Sequence, residues 1–221
     1  MDVAALRERL SGVRWLGGGS GAGKSTTAAS LAERYGLRVY ATDDVMAEHA
    51  RRCPEARCPH LHAFAAMSVD ERWVHRSPRV MLETFHWFRG EGFHLIVEDL
   101  LALSGTDGAG GGRAGPGVLV EGFRLLPDLV APLLADPGRA LWLLPTPDFR
   151  RAAFESRGGS WRIAGRTGDP HRALANLLER DRLFTDELRE QVRRRGLGAV
   201  EVDLSCTHEQ LLREVALRLG L

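Results

Sequence analysis

The chain has 221 residues, 44% hydrophobic and 27% charged, with a formal net charge of +1. That length suits one α/β domain carrying an insertion, and the apolar content supplies a real core. The balanced charge excludes a global basic field, which argues against nucleic-acid or membrane binding by bulk electrostatics.

No window approaches the roughly 18 apolar residues of a membrane span. The charged start, with Asp2, Arg7, Glu8 and Arg9, lacks the apolar stretch of a signal peptide. Three cysteines are an odd, low count, which predicts no disulfide framework and a reducing, cytoplasmic setting.

Residues 2–10 read as a short amphipathic helix, with Val3, Leu6 and Leu10 on one face. Val13–Leu16 is a strand that runs into a glycine turn. Helical spacing returns from Lys24 to Tyr35 and stops at Gly36. Leu37–Ala41 is a second strand, ending at Thr42-Asp43-Asp44. This βαβ start predicts a parallel sheet with right-handed crossovers. Residues 45–103 read as mostly helical, broken near Pro54 and Pro59, with helix starts at Ser68 and Ser77-Pro78. We place 79–103 on one long helix. Residues 104–117 are half glycine and read as a surface loop. The G-x-G-x-x-G inside it, at 110–115, has no strand before it and no helix after it, so we dismiss it. Further strands follow near 118–121, 140–144 and 199–204. Helices are expected at 125–134, 170–195 and 207–219.

Gly18-Gly19-Ser20-Gly21-Ala22-Gly23-Lys24-Ser25 matches G-x-x-x-x-G-K-[ST] in full. Such a loop wraps a phosphate with its N–H groups pointing inward, so glycine is needed where a side chain would clash. The helix that follows offers free donors and a partial positive charge, here at Ser25 and Thr26. Lys24, the only lysine in the chain, adds a full charge at the β- and γ-phosphates. The Ser25 hydroxyl is a Mg²⁺ ligand in this motif.

Carboxylates follow two strands. Glu121, after the third, reads as a residue that holds Mg²⁺ directly or through water. Asp43 or Asp44, after the second, could take the proton of an acceptor hydroxyl or orient it. The competing reading is a cap for the helix from Val45. Between the fourth and fifth strands lie Arg150, Arg151, Arg157, Arg162, Arg166, Arg172, Arg180 and Arg182, and Ser156–Gly168 also holds four glycines. This suits a lid over about 149–182 that brings guanidinium groups to a phosphoryl group. Arg157 and Arg180 are the first choices, Arg151 the third. Cys53, Cys58, His60 and His62 form a zinc-capable inventory with poor spacing, and an ordinary partly buried loop is the preferred reading. Ser205-Cys206-Thr207, after the last strand, is placed to touch a nucleotide base. The aromatics of segment 45–103, among them Trp73, Phe85, His86, Trp87 and Phe88, suit an acceptor pocket as well as a core.

On Gly18–Ser25, Asp43-Asp44, Val118–Gly122 and the arginine-rich segment through Asp181, the chain resembles the P-loop small-molecule and nucleotide kinases of the nucleoside-monophosphate-kinase-like group. The aspartate after the second strand looks like that of chloramphenicol-phosphotransferase-like and shikimate- or gluconate-kinase-like enzymes. Glu121-Gly122 is similar to uridine-kinase-like proteins. The resemblance implies a P-loop NTPase three-layer sandwich, with a five-stranded parallel sheet ordered 2-3-1-4-5. It also implies Mg·ATP as donor. The core would span 12–44, 117–148 and 196–221, with 45–103 as an acceptor-binding insertion. The chain departs from the nucleotide-kinase pattern, since Glu121-Gly122-Phe123-Arg124 only echoes D-G-[FY]-P-R. A guanine-reading [NT]-K-x-D is impossible with one lysine. The expectation is an ATP-dependent phosphotransferase acting on a small-molecule hydroxyl. A nucleoside or nucleotide kinase, a non-catalytic or slowly hydrolysing ATP-binding regulator, and a nucleic-acid-end kinase stand as alternatives.

Overall fold

The computed structural model describes residues 2–106, 117–157 and 159–221, and describes side chains outside 104–106, 157 and 159–161. The glycine motif at 110–115 and the side chain of Arg157 therefore lie outside the described residues. Strands β1 (Val13–Gly18), β2 (Arg38–Ala41), β3 (Val118–Glu121), β4 (Ala140–Pro145) and β5 (Gly198–Val202) form one sheet. Its order is β2-β3-β1-β4-β5, and every pairing is parallel. Order and strand positions match the sequence reading.

The three layers follow from strict alternation. Val13, Trp15, Val118, Val120, Ala140, Trp142 and Leu144 enter one buried cluster. Leu16, Leu119, Leu141 and Leu143 enter the other. Strands buried on both faces must be covered by helices on both. Helices α6 (Phe93–Thr106) and α10 (Pro170–Arg195) cover the first face. Helices α2 (Lys24–Tyr35) and α11 (His208–Arg218) cover the second. Thr207 and Gln210 close α11 with a reciprocal capping box. Helix α1 (Val3–Arg9) docks through Leu6 and Leu10, but Val3 stays exposed.

Between β2 and β3 come α3 (Met46–Arg52), α4 (Pro59–Ala66), a π-helical turn (Glu71–His75) and α5 (Pro78–Thr84), then α6. The expected starts hold. Ser68 and Glu71 exchange backbone and side-chain bonds, and the Ser77 hydroxyl accepts from Val80 N–H. The single helix over 79–103 is corrected. The chain leaves helix after Thr84 and resumes at Phe93. Gly90 and Gly92 adopt φ of 80° and 72°, a region that glycine enters freely and that interrupts a helix.

Beyond β4 lie α8 (Pro147–Arg157), α9 (Gly159–Ala164) and α10, with α7 (Pro127–Val130) before it. Asp169 caps α10 through Arg172 N–H, Pro170 occupies its first turn, and left-handed Gly196 ends it. A period near 3.6 buries Ala173, Leu177, Arg180, Asp181, Phe184, Leu188 and Val192 along one stripe. Among the described residues, no helix is long and apolar enough to cross a membrane.

The end of β3 is tightly packed. Gly122 has φ of 147°, and a Cβ there would overlap the Thr42 hydroxyl. Gly122→Ala is expected to destabilise the fold by about 1–3 kcal/mol, the usual scale of overpacking. Urea unfolding checks this.

Candidate active site

The phosphate loop bridges the carboxyl end of β1 and the start of α2. The sheet order reverses there, because β1 lies between β3 and β4, and such a switch point opens a ligand crevice. Gly18 packs so closely on β4 that any Cβ would strike the Leu143 backbone. Gly21 and Gly23 adopt φ of 77° and 82°. Gly23 is the N-cap of α2 and has no side chain to block the helix end. Gly19, Ser20 and buried Ala22 complete the turn. Lys24 is buried, and its Nζ donates to the Gly19 carbonyl at 2.8 Å. Burial lowers its pKa, while Asp43, Glu121 and Asp181 pull it back up. Ser25 and Thr26 lie exposed in the first helical turn.

Glu121, the last residue of β3, is buried, and the Ser25 hydroxyl donates to its carboxylate. Burial raises its pKa, and Lys24 opposes the shift. A hydroxyl and a carboxylate beside a phosphate loop are the hard oxygen donors that Mg²⁺ takes alongside phosphates, so the residues present fit that ion. Asp43, exposed just past the end of β2, also has a raised pKa through desolvation of its carboxyl, with Lys24 and Arg124 pulling it down. Neither aspartate caps α3. Its N-cap is Val45, and no side chain accepts a bond there. The capping reading is thereby set aside for both.

Arg124 entered the sequence reading only as the last residue of the Glu121–Arg124 echo and was given no role there. It is buried, lies 4.0 Å over the Trp87 ring, and donates to the Thr42 carbonyl just before Asp43. Its Nη2 contacts His49 Nδ1 at 3.1 Å, and His49 Nε2 meets Asp99 at 2.8 Å. Asp99 also accepts from the Tyr40 hydroxyl at 2.6 Å. With Asp99 taking the Nε2 proton, Nδ1 is left to accept from the guanidinium. Desolvation brings the Arg124 pKa down to about 10, still a cation at neutral pH.

The arginine-rich segment sorts itself by burial. Arg151 is exposed, in a groove with His171, Glu179 and Arg182. Its neighbour Arg150 is buried instead, donating from Nε to the Ser20 carbonyl at 3.3 Å and from Nη2 to the Thr185 hydroxyl. Arg150, Ala153 and Phe154 lie nearest Gly21. That face repeats at i, i+3 and i+4, which is the signal that could have selected Arg150 over Arg151. Arg180 sits on the buried stripe of α10. Its Nε and Nη2 bind Asp181 Oδ1 at 2.8 and 2.6 Å, while its buried Nη1 has no partner.

A cavity of about 330 Å³ opens beside these groups. Ser20 of the loop and Met46, just past Asp43-Asp44, form part of its wall, with Arg180, Asp181 and a set of aromatic rings. Other candidates fall outside it. Arg79 pairs with Glu83 on the surface, and Arg76 is tied to Thr84. Cys53 and Cys58 are joined as a disulfide with Cα atoms 6.0 Å apart, which corrects the expectation of reduced thiols. A count of cysteines misses such a pair, because it is closed locally by the turn at Pro54. Both sulfurs are joined to each other and His62 Nε2 contacts the Cys53 carbonyl, and among the described residues the group with metal-ligand spacing is Glu48, His49 and Asp99 instead. Ser205 and Cys206 N–H groups turn onto Asp203 Oδ1, and Thr207 caps α11.

No protein-family model matches the sequence. The chain is similar to a 2-phosphoglycerate kinase of Thermococcus kodakarensis, 27% identical over 206 residues, or 92% of this chain. It spans 66% of that protein's length, just under two thirds. Among solved structures it aligns with a gluconokinase from Sinorhizobium meliloti at 19% identity, covering 94% of this chain and 90% of that one, with a TM-score of 0.43. An uncharacterised protein from Eubacterium ventriosum aligns at 14% identity, covering 94% and 97%, with a TM-score of 0.45. A parallel sheet ordered β2-β3-β1-β4-β5, helices on both faces and a full glycine-lysine-serine loop after β1 give this chain the P-loop kinase fold.

Proposed function

We propose that the protein is an ATP-dependent phosphotransferase that moves the γ-phosphate of Mg·ATP to a hydroxyl of a small molecule. The observation that carries this reading is a complete phosphate loop whose buried Lys24 is held at the Gly19 carbonyl, with buried Glu121 at the end of the adjoining strand β3 and an open cavity beside Ser20. The named activity of the Thermococcus kodakarensis relative agrees in class.

In this reading the amides of Gly18–Gly23 and the first turn of α2, with Thr26, grip the triphosphate. Lys24 leaves the Gly19 carbonyl for the β- and γ-phosphates. Ser25 and Glu121 would hold the Mg²⁺, which would supply charge neutralisation at the phosphate oxygens. Asp43 accepts the acceptor's proton as the acceptor oxygen bonds to phosphorus and the bond to the departing ADP breaks. Arg124 holds Asp43 in place through Thr42. Arg150 and Arg180 supply positive charge at the transferring group. The segment 45–103 forms the acceptor side and 149–182 the lid.

Turnover needs Asp43 and Glu121 ionised, and desolvation raises both pKa values. A raised carboxyl stays protonated to higher pH, so activity should climb with pH. The acid limb of kcat/KM is expected above the usual carboxylate value of about 4. A pH–rate profile already flat at that value would contradict the assignment.

A further inference from the structure

We propose that the acceptor is an uncharged aromatic alcohol, its ring held in the cavity beside the phosphate loop and its hydroxyl turned toward Lys24 and Asp43. This rests on the phosphotransferase reading and names its substrate class. The wall is unusually rich in rings, with Phe64, Trp73, Phe85, Trp87, Phe88 and Phe123 all contributing. Phe64 meets Trp73 and Phe85 edge-on, each at 5.4 Å between centroids. Facets set at such angles suit a further flat ring better than a flexible polar chain. The volume of about 330 Å³ lies at the lower end of small-molecule sites, about 300–1,000 Å³. It fits one ring system with a short substituent.

The polar inventory points the same way. The cavity's polar lining residues, among those described, are Ser20, His86, Arg180 and Asp181. Arg180 is the single fixed cation, and Asp181 already holds it by two bonds to one oxygen. His86 is buried and its pKa falls to about 3, so it is neutral. A phosphorylated acid such as 2-phosphoglycerate brings a phosphate and a carboxylate, while among the described lining residues only Arg180, already paired with Asp181, is cationic. Two polar atoms are nonetheless orphaned there. Among the described residues, Arg180 Nη1 and His86 Nδ1 are buried without hydrogen-bond partners, a state that folded proteins avoid unless something else fills it. One neutral oxygen and one N–H or O–H on a ligand would satisfy both.

The frame around the rings is rigid. Trp73 sits in the π-helical turn, a geometry frequent at functional sites. Asn176 of α10 donates to the Trp73 and Val74 carbonyls at 3.1 and 3.2 Å, which fixes that turn against the helix bearing Arg180. The Arg180 guanidinium lies 5.0–5.3 Å from the centroids of Trp73, Phe85 and Phe88. Its charge is spread over ring faces as well as over Asp181.

The test uses the intact protein saturated with Mg²⁺ and β,γ-imido-ATP, followed by calorimetry and tryptophan emission. Four probes are titrated: 3-phenylpropane-1,2-diol, thymidine, gluconate and 2-phosphoglycerate. The first two share the ring and hydroxyl and separate a simple aryl alcohol from a nucleoside. At least one of them should bind and perturb the emission. With ATP in place of the analogue, the same probe should raise ADP release at least tenfold over the acceptor-free rate. Trp73→Leu and, independently, Phe85→Leu should weaken that probe about tenfold and leave ATP affinity unchanged. Binding and turnover of gluconate or 2-phosphoglycerate, or no binding of either aromatic probe, overturns the proposal. Failure of ATP itself to bind would sink the phosphotransferase reading instead, so the two failures are distinguishable.

Discussion

Lys24→Ala should lower ATP turnover by roughly 10³-fold, the scale set by losing one preorganised charge at a developing anion. Three features make the effect large. The ammonium is buried, so its attraction to phosphate is weakly screened. It is already held at the loop by the Gly19 carbonyl, so little reorganisation precedes binding. The chain has no second lysine to replace it. The substitution also leaves Asp43, Glu121 and Asp181 without their shared cation. Loss of that cation should push the Asp43 and Glu121 pKa values higher still, because Lys24 is what lowers them in the intact site. Any residual activity should therefore show an acid limb displaced upward. ADP release followed across pH measures both effects. Full activity in Lys24→Ala would remove the assignment.

Asp43→Asn should cut kcat by about 10²–10⁴-fold, the range for a positioned general base, with ATP affinity nearly unchanged. Asp44→Asn should cost less than about tenfold, since a group outside the proton path affects the step only indirectly. The sequence left two adjacent aspartates as alternatives, and Asp43 is the one proposed as the base. Asp43 is the one that shares charge with Lys24 and Arg124. The Thr42 carbonyl that Arg124 grips lies directly before it. Rapid-mixing turnover together with calorimetry separates catalysis from binding. Equal losses in turnover and ATP affinity would instead mark Asp43 as structural.

Much of the frame was legible because it is written locally. Alternating apolar strands, the glycine run before Lys24, and carboxylates immediately after strands each show within ten residues. Helix starts such as Ser68 and Ser77 were legible for the same reason. What escaped depends on which face a helix turns inward. Arg150 and Arg151 are neighbours in sequence, yet only Arg150 reaches the loop, because α8 presents it together with Ala153 and Phe154. Arg180 was found, but its bed of aromatic rings, Trp73 and Phe85 among them, comes from elements about a hundred residues away in the chain. Arg124 depends on Thr42, Trp87 and His49, which meet only once β2 and β3 pair. The break at residues 85–92 was signalled by Gly90 and Gly92, whose positive φ outweighed the apolar pattern running through them.

Isothermal calorimetry of the intact protein with ATP and Mg²⁺ tests the central claim most directly. One ATP should bind per chain, with affinity that falls when Mg²⁺ is withheld and collapses in Lys24→Ala. A folded protein that takes up neither ATP nor GTP in the presence of Mg²⁺ would contradict the account.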